Sequence, residues 1–272
     1  MTPSLSRLNQ HIRTLGLLLL TLFLFACGSK SDLHEGRSAD ELYLEAKAAV
    51  TKGNYSKAAQ MFSQLQTRYP FGRYTEQAQL EMAFAQYRLE QPDQAIATLD
   101  RFVKTYPAHP NIDYALYLKG LVNFEENYGF LSKIFPSRVR DRDQTIARQS
   151  FNDFNELLRR FPDSQYTPDA RQRMVYLKNN LAGYEIEVAQ YYMRRTAYIA
   201  AANRARYVLE TYPGTPDTSV ALQILHQAYT ALEMQELADS SLRVLAMNFP
   251  DDPYVTGQSQ KKTWLSYLWP FD

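Results

Sequence analysis

The sequence predicts an all-α fold, a solenoid of about five helical hairpins. An aromatic–proline pair recurs five times, a small residue precedes each proline at a fixed distance, and apolar residues follow it at helical spacing. Proline cannot continue a helix and restricts the residue before it, so each pair marks a helix end. The pairs are Tyr69-Pro70, Tyr106-Pro107, Phe161-Pro162, Tyr212-Pro213 and Phe249-Pro250.

The positions before each proline form one helical face, because residues three, four and seven apart share a side of a helix. If small residues make up roughly a fifth of a chain, five small residues out of five has a chance probability of about three in ten thousand. Twelve residues before the prolines stand Ala58, Ala95, Ser150, Ala201 and Ala238. Eight before stand Phe62, Leu99, Phe154, Ala205 and Leu242, and five before stand Leu65, Phe102, Leu157, Val208 and Leu245.

The same spacing is typical of tetratricopeptide repeats, in which a small residue lets two helices approach and a proline closes a unit of about 34 residues. The first unit fits best, with Leu42 and Ala46 in helix A, a turn around Gly53, and Ala58 in helix B. The usual tryptophan and some glycines are missing. The predicted fold class is therefore an all-α tetratricopeptide-repeat solenoid with divergent units.

The third and fourth units contain extra chain, since successive prolines are 37, 55, 51 and 37 residues apart. In the third unit the surplus is residues 127–142, whose Gly129, Pro136 and alternating arginines and aspartates predict a long loop. In the fourth unit Pro168 and Asp169 begin a helix. Either that helix A is long, or an additional helix breaks near Gly183.

The N-terminus has the pattern of a secretion signal. Arg7, His11 and Arg13 precede an apolar run of eleven residues, 15–25. Spanning a bilayer takes about twenty apolar residues. We therefore expect a cleaved signal peptide over residues 1–26 and no permanent transmembrane helix.

The string Leu24-Phe25-Ala26-Cys27 resembles a bacterial lipobox, although Phe25 is larger than usual. The alternative is that Cys27 is an ordinary small residue beside a signal-peptidase site. On the lipobox resemblance we expect Cys27 to carry N-acyl and S-diacylglycerol lipid, and no other cofactor. Each buried methylene contributes about 0.8 kcal/mol, so several chains would hold the protein on the membrane stably. Gly28 favours the outer membrane, because aspartate at that position would resemble an inner-membrane retention signal.

Composition argues for a binding protein rather than an enzyme. The formal charge of +1 is too small for a nucleic-acid binder held by phosphates. Cys27 is the only cysteine, so disulfides cannot stabilise the fold. The four histidines lack metal-ligand spacing, and there is no Gly-rich phosphate loop, nucleophile elbow or C-x-x-C. We expect no catalytic residue and no metal site.

Repeat arrays bind extended peptides, and in tetratricopeptide arrays the A helices line the groove. Tyrosine and arginine are favoured anchors at interfaces, so an aromatic groove with a few cations suits a peptide with aromatic side chains and a carboxylate. The alternative is that several of these aromatics belong to the core between repeats. The repeat register places Tyr43, Lys47 and Val50 there from unit one, Phe84, Tyr87 and Arg88 from unit two, and Tyr114, Tyr117 and Phe124 from unit three.

The expected organisation has five parts. After the signal, residues 27–38 are the lipidated cysteine and a polar tether, 39–130 the N-terminal units with the groove, and 131–252 the C-terminal units for partner docking. Residues 253–272 are an aromatic tail that includes Trp264, Trp269 and Phe271. This tail either packs on the last repeat as a cap or docks on a membrane or partner.

Several loop strings are more specific than the repeat spacing. They are His109-Pro110-Asn111-Ile112-Asp113-Tyr114-Ala115-Leu116-Tyr117, Tyr191-Tyr192-Met193-Arg194-Arg195 leading into residues 198–204, Tyr69-Pro70-Phe71-Gly72, and Asp141-Arg142-Asp143. With the lipobox and the five units, they make nearly all the mature chain resemble the BamD (ComL) family of outer-membrane assembly lipoproteins.

That resemblance implies a non-catalytic subunit of the BAM complex, which folds and inserts β-barrel proteins, at the periplasmic face of the outer membrane. The N-terminal units would receive unfolded barrel proteins, and the C-terminal units would dock on the POTRA domains of BamA, with BamC and BamE as further partners. Arg204 matches a family arginine near the BamA contact, so docking is expected there. The alternative function is a repeat lipoprotein scaffold for cell-wall or polysaccharide machinery.

Overall fold

The computed structural model describes residues 36–128 and 144–257, so the signal, Cys27 and the aromatic tail after residue 257 lie outside it. The described residues form eleven α-helices and no β-strand, which confirms the all-α prediction. The helices are α1 Ala39–Thr51, α2 Tyr55–Arg68, α3 Arg73–Arg88, α4 Pro92–Thr105, α5 Ile112–Tyr128, α6 Gln144–Arg160, α7 Thr167–Arg194, α8 Tyr198–Thr211, α9 Thr218–Ala231, α10 Gln235–Asn248 and α11 Pro253–Thr256.

The first ten helices form five hairpins, α1/α2 to α9/α10, and each helix packs against the next one in the chain. We call the first helix of each hairpin the A helix and the second the B helix. A helices of neighbouring hairpins also touch, as α1 does α3, α3 does α5, and α7 does α9. This nearest-neighbour packing is that of a tetratricopeptide-like solenoid.

Each aromatic–proline pair ends a B helix as predicted. The aromatic residue directly follows the last helical residue, and its N–H donates to the carbonyl four residues earlier; the N···O distance is 2.8 Å from Tyr69 to Leu65. The proline that follows then prevents another turn. The five small residues twelve before the prolines all have no solvent-exposed surface.

In the third hairpin the two helices approach very closely at Gly120 of α5. The Ser150 hydroxyl donates to the Gly120 carbonyl over 2.8 Å. A Cβ atom added at Gly120 would lie 2.5 Å from the ring of Phe154. This contact therefore requires glycine on α5 and a small residue on α6.

The A-to-B turns share one backbone shape although their sequences differ. In the first hairpin Gly53 adopts φ 73°, a left-handed conformation that glycine tolerates without steric cost. Glu90, Thr196 and Glu233 take the same place in the second, fourth and fifth hairpins, with φ of 57°, 58° and 60°. The divergent repeats thus keep the turn without its glycine.

The extra chain of the fourth unit is helical. Helix α7 has 28 residues and passes through Gly183 without a break, so the long-helix alternative is the correct one. At 1.5 Å per residue it is about 42 Å long. In the third unit, α5 continues to Tyr128, into the predicted loop, and the rest of that loop lies outside the described residues up to α6.

Candidate functional site

All nine predicted groove residues lie on α1, α3 and α5, the first three A helices; Val50 is half-buried against the core of the first hairpin, and the other eight line one surface. We call the surface they form the A-helix face. The six aromatic members are half-buried, with one side of each ring against the core, and Arg88 is exposed. The face consists of Tyr43, Lys47, Phe84, Tyr87, Arg88, Tyr114, Tyr117 and Phe124.

At its first end the A-helix face joins α1 to α3. The ring of Tyr43 lies 5.5 Å from that of Tyr74 and 6.1 Å from that of Phe62, between centroids. The Lys47 ammonium lies 2.6 Å from the Glu81 carboxylate. Burial and the charge of Glu81 raise the pKa of Tyr43 to about 12, so its hydroxyl stays protonated.

The middle of the face joins α3 to α5. The guanidinium of Arg88 lies over the ring of Tyr55 at 4.6 Å and over that of Phe84 at 5.9 Å. The Tyr87 hydroxyl donates to Glu125 of α5 over 2.6 Å. Burial and this hydrogen bond raise the pKa of Tyr87, so the phenol remains a donor and holds the ring in one orientation.

Further along, two tyrosines of α5 pack on the start of α7. The rings of Tyr117 and Tyr166 stack at 4.8 Å, and Tyr114 lies 5.4 Å from Tyr166. The Tyr117 hydroxyl donates over 2.8 Å to Asp169, which also pairs with Arg173 at 2.6 Å. Burial and the Asp169 bond raise the pKa of Tyr117 to about 12.

The face continues onto α7. Arg173 lies over the ring of Phe124 at 4.8 Å, and the ring of Tyr176 lies 5.8 Å from Phe124. The two alternatives for these aromatics therefore describe the same residues, because each ring packs on the core and keeps an exposed part. Their role in substrate binding stays a prediction.

Sequence reasoning missed the partners that complete this face. Three of them stand 52 residues after a predicted residue: Tyr166 after Tyr114, Asp169 after Tyr117, and Tyr176 after Phe124. Extending the repeat register would not have found them, because the prolines that precede these two A helices, Pro107 and Pro162, are 55 residues apart. The others pair across hairpins or stand at turns: Tyr55, Tyr74, Glu81, Glu125 and Arg173.

The predicted docking residue Arg204 lies on α8. Its Nη1 atom is 2.9 Å from one oxygen of Glu185, and the Nη2 atom of Arg148 is 3.1 Å from the other. Glu185, on α7, is only 1% exposed, whereas the Arg204 side chain is 44% exposed. Arg204 therefore compensates a buried charge and also presents part of its guanidinium to solvent.

The two histidines among the described residues make packing contacts. His109 lies edge-on to Phe102 at 5.0 Å, and the His226 Nδ1 atom lies 2.6 Å from the Tyr254 hydroxyl. Within the described ranges no three histidine, cysteine or acidic side chains come close enough to hold a metal ion. None of the described helices is long and apolar enough to cross a bilayer.

Comparison with known proteins identifies the family. A family model described as "Outer membrane lipoprotein" matches residues 35–245. The outer membrane protein assembly factor BamD of Xylella fastidiosa is 41% identical over 92% of this chain and 85% of its own length. The BamD proteins of Neisseria gonorrhoeae and Vibrio cholerae are 40% and 37% identical, over 91% and 86% of this chain and 96% of each relative. The chain therefore belongs to the BamD family of outer membrane lipoproteins.

Proposed function

We propose that this protein acts in outer membrane protein assembly, as the names of its relatives say of them, by holding an extended segment of an unfolded barrel protein against the A-helix face. The observation that carries this proposal is the unbroken series of ring, hydrogen-bond and ion-pair contacts from α1 to α7. Holding a segment and releasing it needs no covalent step, so the proposed role is non-catalytic.

The rings of this face are fixed before any peptide arrives. Tyr87 is held by Glu125 and Tyr117 by Asp169, at 2.6 and 2.8 Å. Ordering a side chain on binding costs about 0.5–1.5 kcal/mol, and a pre-ordered ring avoids that cost. A peptide with aromatic side chains could thus pack on exposed ring surface with little loss of freedom.

The cations of the face are not equivalent. Lys47 is neutralised by Glu81 and Arg173 by Asp169. Arg88 lies over two aromatic rings, and no carboxylate among the described residues pairs with it. A charge-assisted hydrogen bond is about twice as strong as a neutral one. We therefore assign Arg88, rather than Lys47, as the anchor for a peptide carboxylate.

The rest of the proposed function rests on the family resemblance. A lipid on Cys27 would hold the protein at the periplasmic face of the outer membrane and raise its local concentration without adding specificity. The C-terminal hairpins, with the exposed part of Arg204, would dock on the POTRA domains of BamA. BamC and BamE would complete the partner set.

Binding of a peptide that copies a barrel C-terminus tests the proposal. We expect a Kd near micromolar, about −8 kcal/mol, since handover requires reversible binding. Arg88→Gln should weaken binding of the free-acid peptide about tenfold, or about 1.4 kcal/mol, and leave binding of the amidated peptide nearly unchanged. Calorimetric titration measures all four combinations.

Two tyrosine variants test the face, and a third is their control. Tyr87→Ala and Tyr117→Ala should each weaken binding, whereas Tyr191→Ala should not, because Tyr191 is an exposed tyrosine at the far end of α7. Unchanged affinity for both face variants would count against this surface.

Gentle solubilisation and co-purification test the partners. Recovery of wall synthases in place of a POTRA-bearing barrel protein would contradict the assembly role.

A further inference from the structure

The outer side of α10 carries an exposed apolar stripe. Leu237, Val244 and Met247 are 43%, 45% and 78% exposed, and they stand thirteen, six and three residues before Pro250. Positions seven and three apart lie on one side of a helix. We call these three residues the α10 stripe.

The other repeats show that this stripe is unusual. The same positions before the first three repeat prolines all hold polar side chains, nearly all of them exposed. The fourth repeat is mixed, with Ala200, Tyr207 and Glu210. An apolar stripe where the first three repeats are polar therefore indicates a covered surface rather than ordinary solenoid exterior. The equivalent residues are Lys57, Gln94 and Gln149; Gln64, Arg101 and Glu156; and Thr67, Lys104 and Arg159.

The one described element after α10 does not cover the stripe. Helix α11 is a single turn that bonds to α9, with Asp252 accepting from Gln223 at 3.0 Å and Tyr254 joined to His226. The first turn of a sixth A helix would occupy the same place. The outer side of α10 remains open beside it, and a solenoid end needs a cap.

The chain supplies an occupant of matching chemistry and length. At least fifteen residues follow Gly257, and six of them are large and apolar: Trp264, Leu265, Tyr267, Leu268, Trp269 and Phe271. Helix α10 is about 21 Å long, and the seven residues from 257 to 263 can span about 23 Å, so the chain can return across the end of α10. Residues 264–271 can span about 26 Å, enough for the whole stripe.

We propose that residues 264–271 lie along the outer side of α10, over Leu237, Val244 and Met247, and cap the array. The contact then removes apolar area of both surfaces from water, which favours it. This inference does not depend on the proposed peptide-binding function, since the A-helix face contains no residue of α10.

Site-specific photo-crosslinking in cells tests the contact on the full protein. A benzoylphenylalanine in place of Val244 should give an adduct within the same chain, to residues 264–271, found by mass spectrometry after digestion. The same group in place of Gln64, the equivalent position of the first repeat, should give no such adduct. A Val244 adduct to another protein, to lipid or to a second copy of the chain would overturn the proposal.

A double-mutant cycle gives a second test. Val244→Asp and deletion of residues 264–272 should each lower the thermal unfolding midpoint by a few degrees, and together by no more than the larger single effect. Leu44→Asp, at an exposed leucine of α1, should add fully to the deletion. Additive effects of Val244→Asp and the deletion would contradict the contact. If Val244→Asp fails to fold, Met247→Ser, at the most exposed stripe position, takes its place.

Tryptophan emission gives an independent reading, because Trp264 and Trp269 are the only tryptophans in the chain. Val244→Asp should shift the emission toward that of solvent-exposed indole, and Leu44→Asp should leave it unchanged. Identical spectra for both variants and the parent protein would overturn the proposal.

Discussion

At the scale of single residues, a partly buried charge cluster joins the second hairpin to the third. The Lys119 ammonium lies 2.7 Å from Asp100 and 3.2 Å from Asp153, and Asn123 donates to Asp153 over 2.8 Å. Burial lowers the pKa of Lys119, but the two carboxylates outweigh burial and the pKa is raised. For Asp153, burial outweighs Lys119, so its pKa is also raised. The charged form of Asp153 therefore destabilises the fold unless Lys119 compensates it.

Lys119→Met should destabilise the protein by about 3–5 kcal/mol at pH 8, because it leaves Asp153 charged and buried without a cation. Loss of the lysine raises the Asp153 pKa further above its unfolded value of about 3.9. The penalty is absent below the unfolded pKa, grows as pH rises from the unfolded to the folded pKa, and is complete above the folded pKa. Urea unfolding at several pH values should therefore show a smaller loss at pH 5 than at pH 8.

Lys104→Met is the matched control, since Lys104 is an exposed lysine on the neighbouring helix α4. It should change stability by no more than about 0.5 kcal/mol at either pH. A loss from Lys119→Met that does not vary between pH 5 and 8 would show that Asp153 is not the source of the penalty.

At the scale of elements, the A-to-B turns store strain where glycine is absent. Thr196 has φ 58°, and a β-branched residue is a genuine outlier there. Its hydroxyl bonds only the adjacent carbonyl of Arg195, and the side chain is exposed. Nothing in its contacts among the described residues therefore offsets the backbone cost.

Thr196→Gly should stabilise the protein by about 0.5–1 kcal/mol. The left-handed conformation costs threonine about 1–2 kcal/mol, and removing this cost outweighs the entropic cost of glycine. The reverse change in the first hairpin, Gly53→Thr, should destabilise by about 1–2 kcal/mol. Chemical denaturation of both variants measures the two effects. A neutral or destabilising Thr196→Gly would mean that the threonine side chain contributes a contact that outweighs the strain.

The sequence alone was enough to predict where the B helices end and which residues pack between helices. All five small residues, such as Ala58 and Ser150, are fully buried. Their burial could be predicted because the distance to the proline is short and helical periodicity then determines which side of the helix they occupy. The partners across hairpins could not be predicted, because the pairing of Tyr117 with Asp169 depends on the rotation between successive hairpins. The continuity of α7 was equally open, since a glycine within a helix costs only about 1 kcal/mol.

The candidate site was predictable to the same extent. The A-helix register located the aromatic residues, but local sequence could not show that Glu81 neutralises Lys47, 34 residues away. Likewise, Arg204 could be matched to a family position, while its partner Glu185 sits in an apolar stretch of α7 where burial of a charge is hard to read. Contacts between residues far apart in the sequence could not be predicted from the sequence alone.

At the scale of the whole molecule, the core formed by residues 36–128 and 144–257 consists of three apolar clusters in series. The first lies among α1, α2 and α3, the second among α3, α4 and α5, and the third extends from α5 to α9. Helices α3 and α5 each contribute to two clusters. Stability in such an array is a sum of local and nearest-neighbour contributions, so its ends can open independently.

Leu65→Ala should lower the free energy of unfolding around the first cluster by about 2–5 kcal/mol, because Leu65 is fully buried there. Hydrogen exchange followed by mass spectrometry should show faster amide exchange in α1 and α2 and unchanged exchange in α8 and α9. Phe154→Ala, in the third cluster, should show the opposite distribution. Equal acceleration along the whole chain in either variant would indicate a single cooperative unit.

The unbroken helix α7 determines how the hairpins after it are rotated relative to the hairpins before it. One added residue turns everything beyond it by about 100° and advances it by about 1.5 Å. A single insertion beside Gly183 would therefore rotate Glu185 away from Arg148 while carrying Arg204 with it, so that the two arginines could no longer share one carboxylate. Length changes in α7 preserve this angle only near whole numbers of turns, for example seven residues for about two turns.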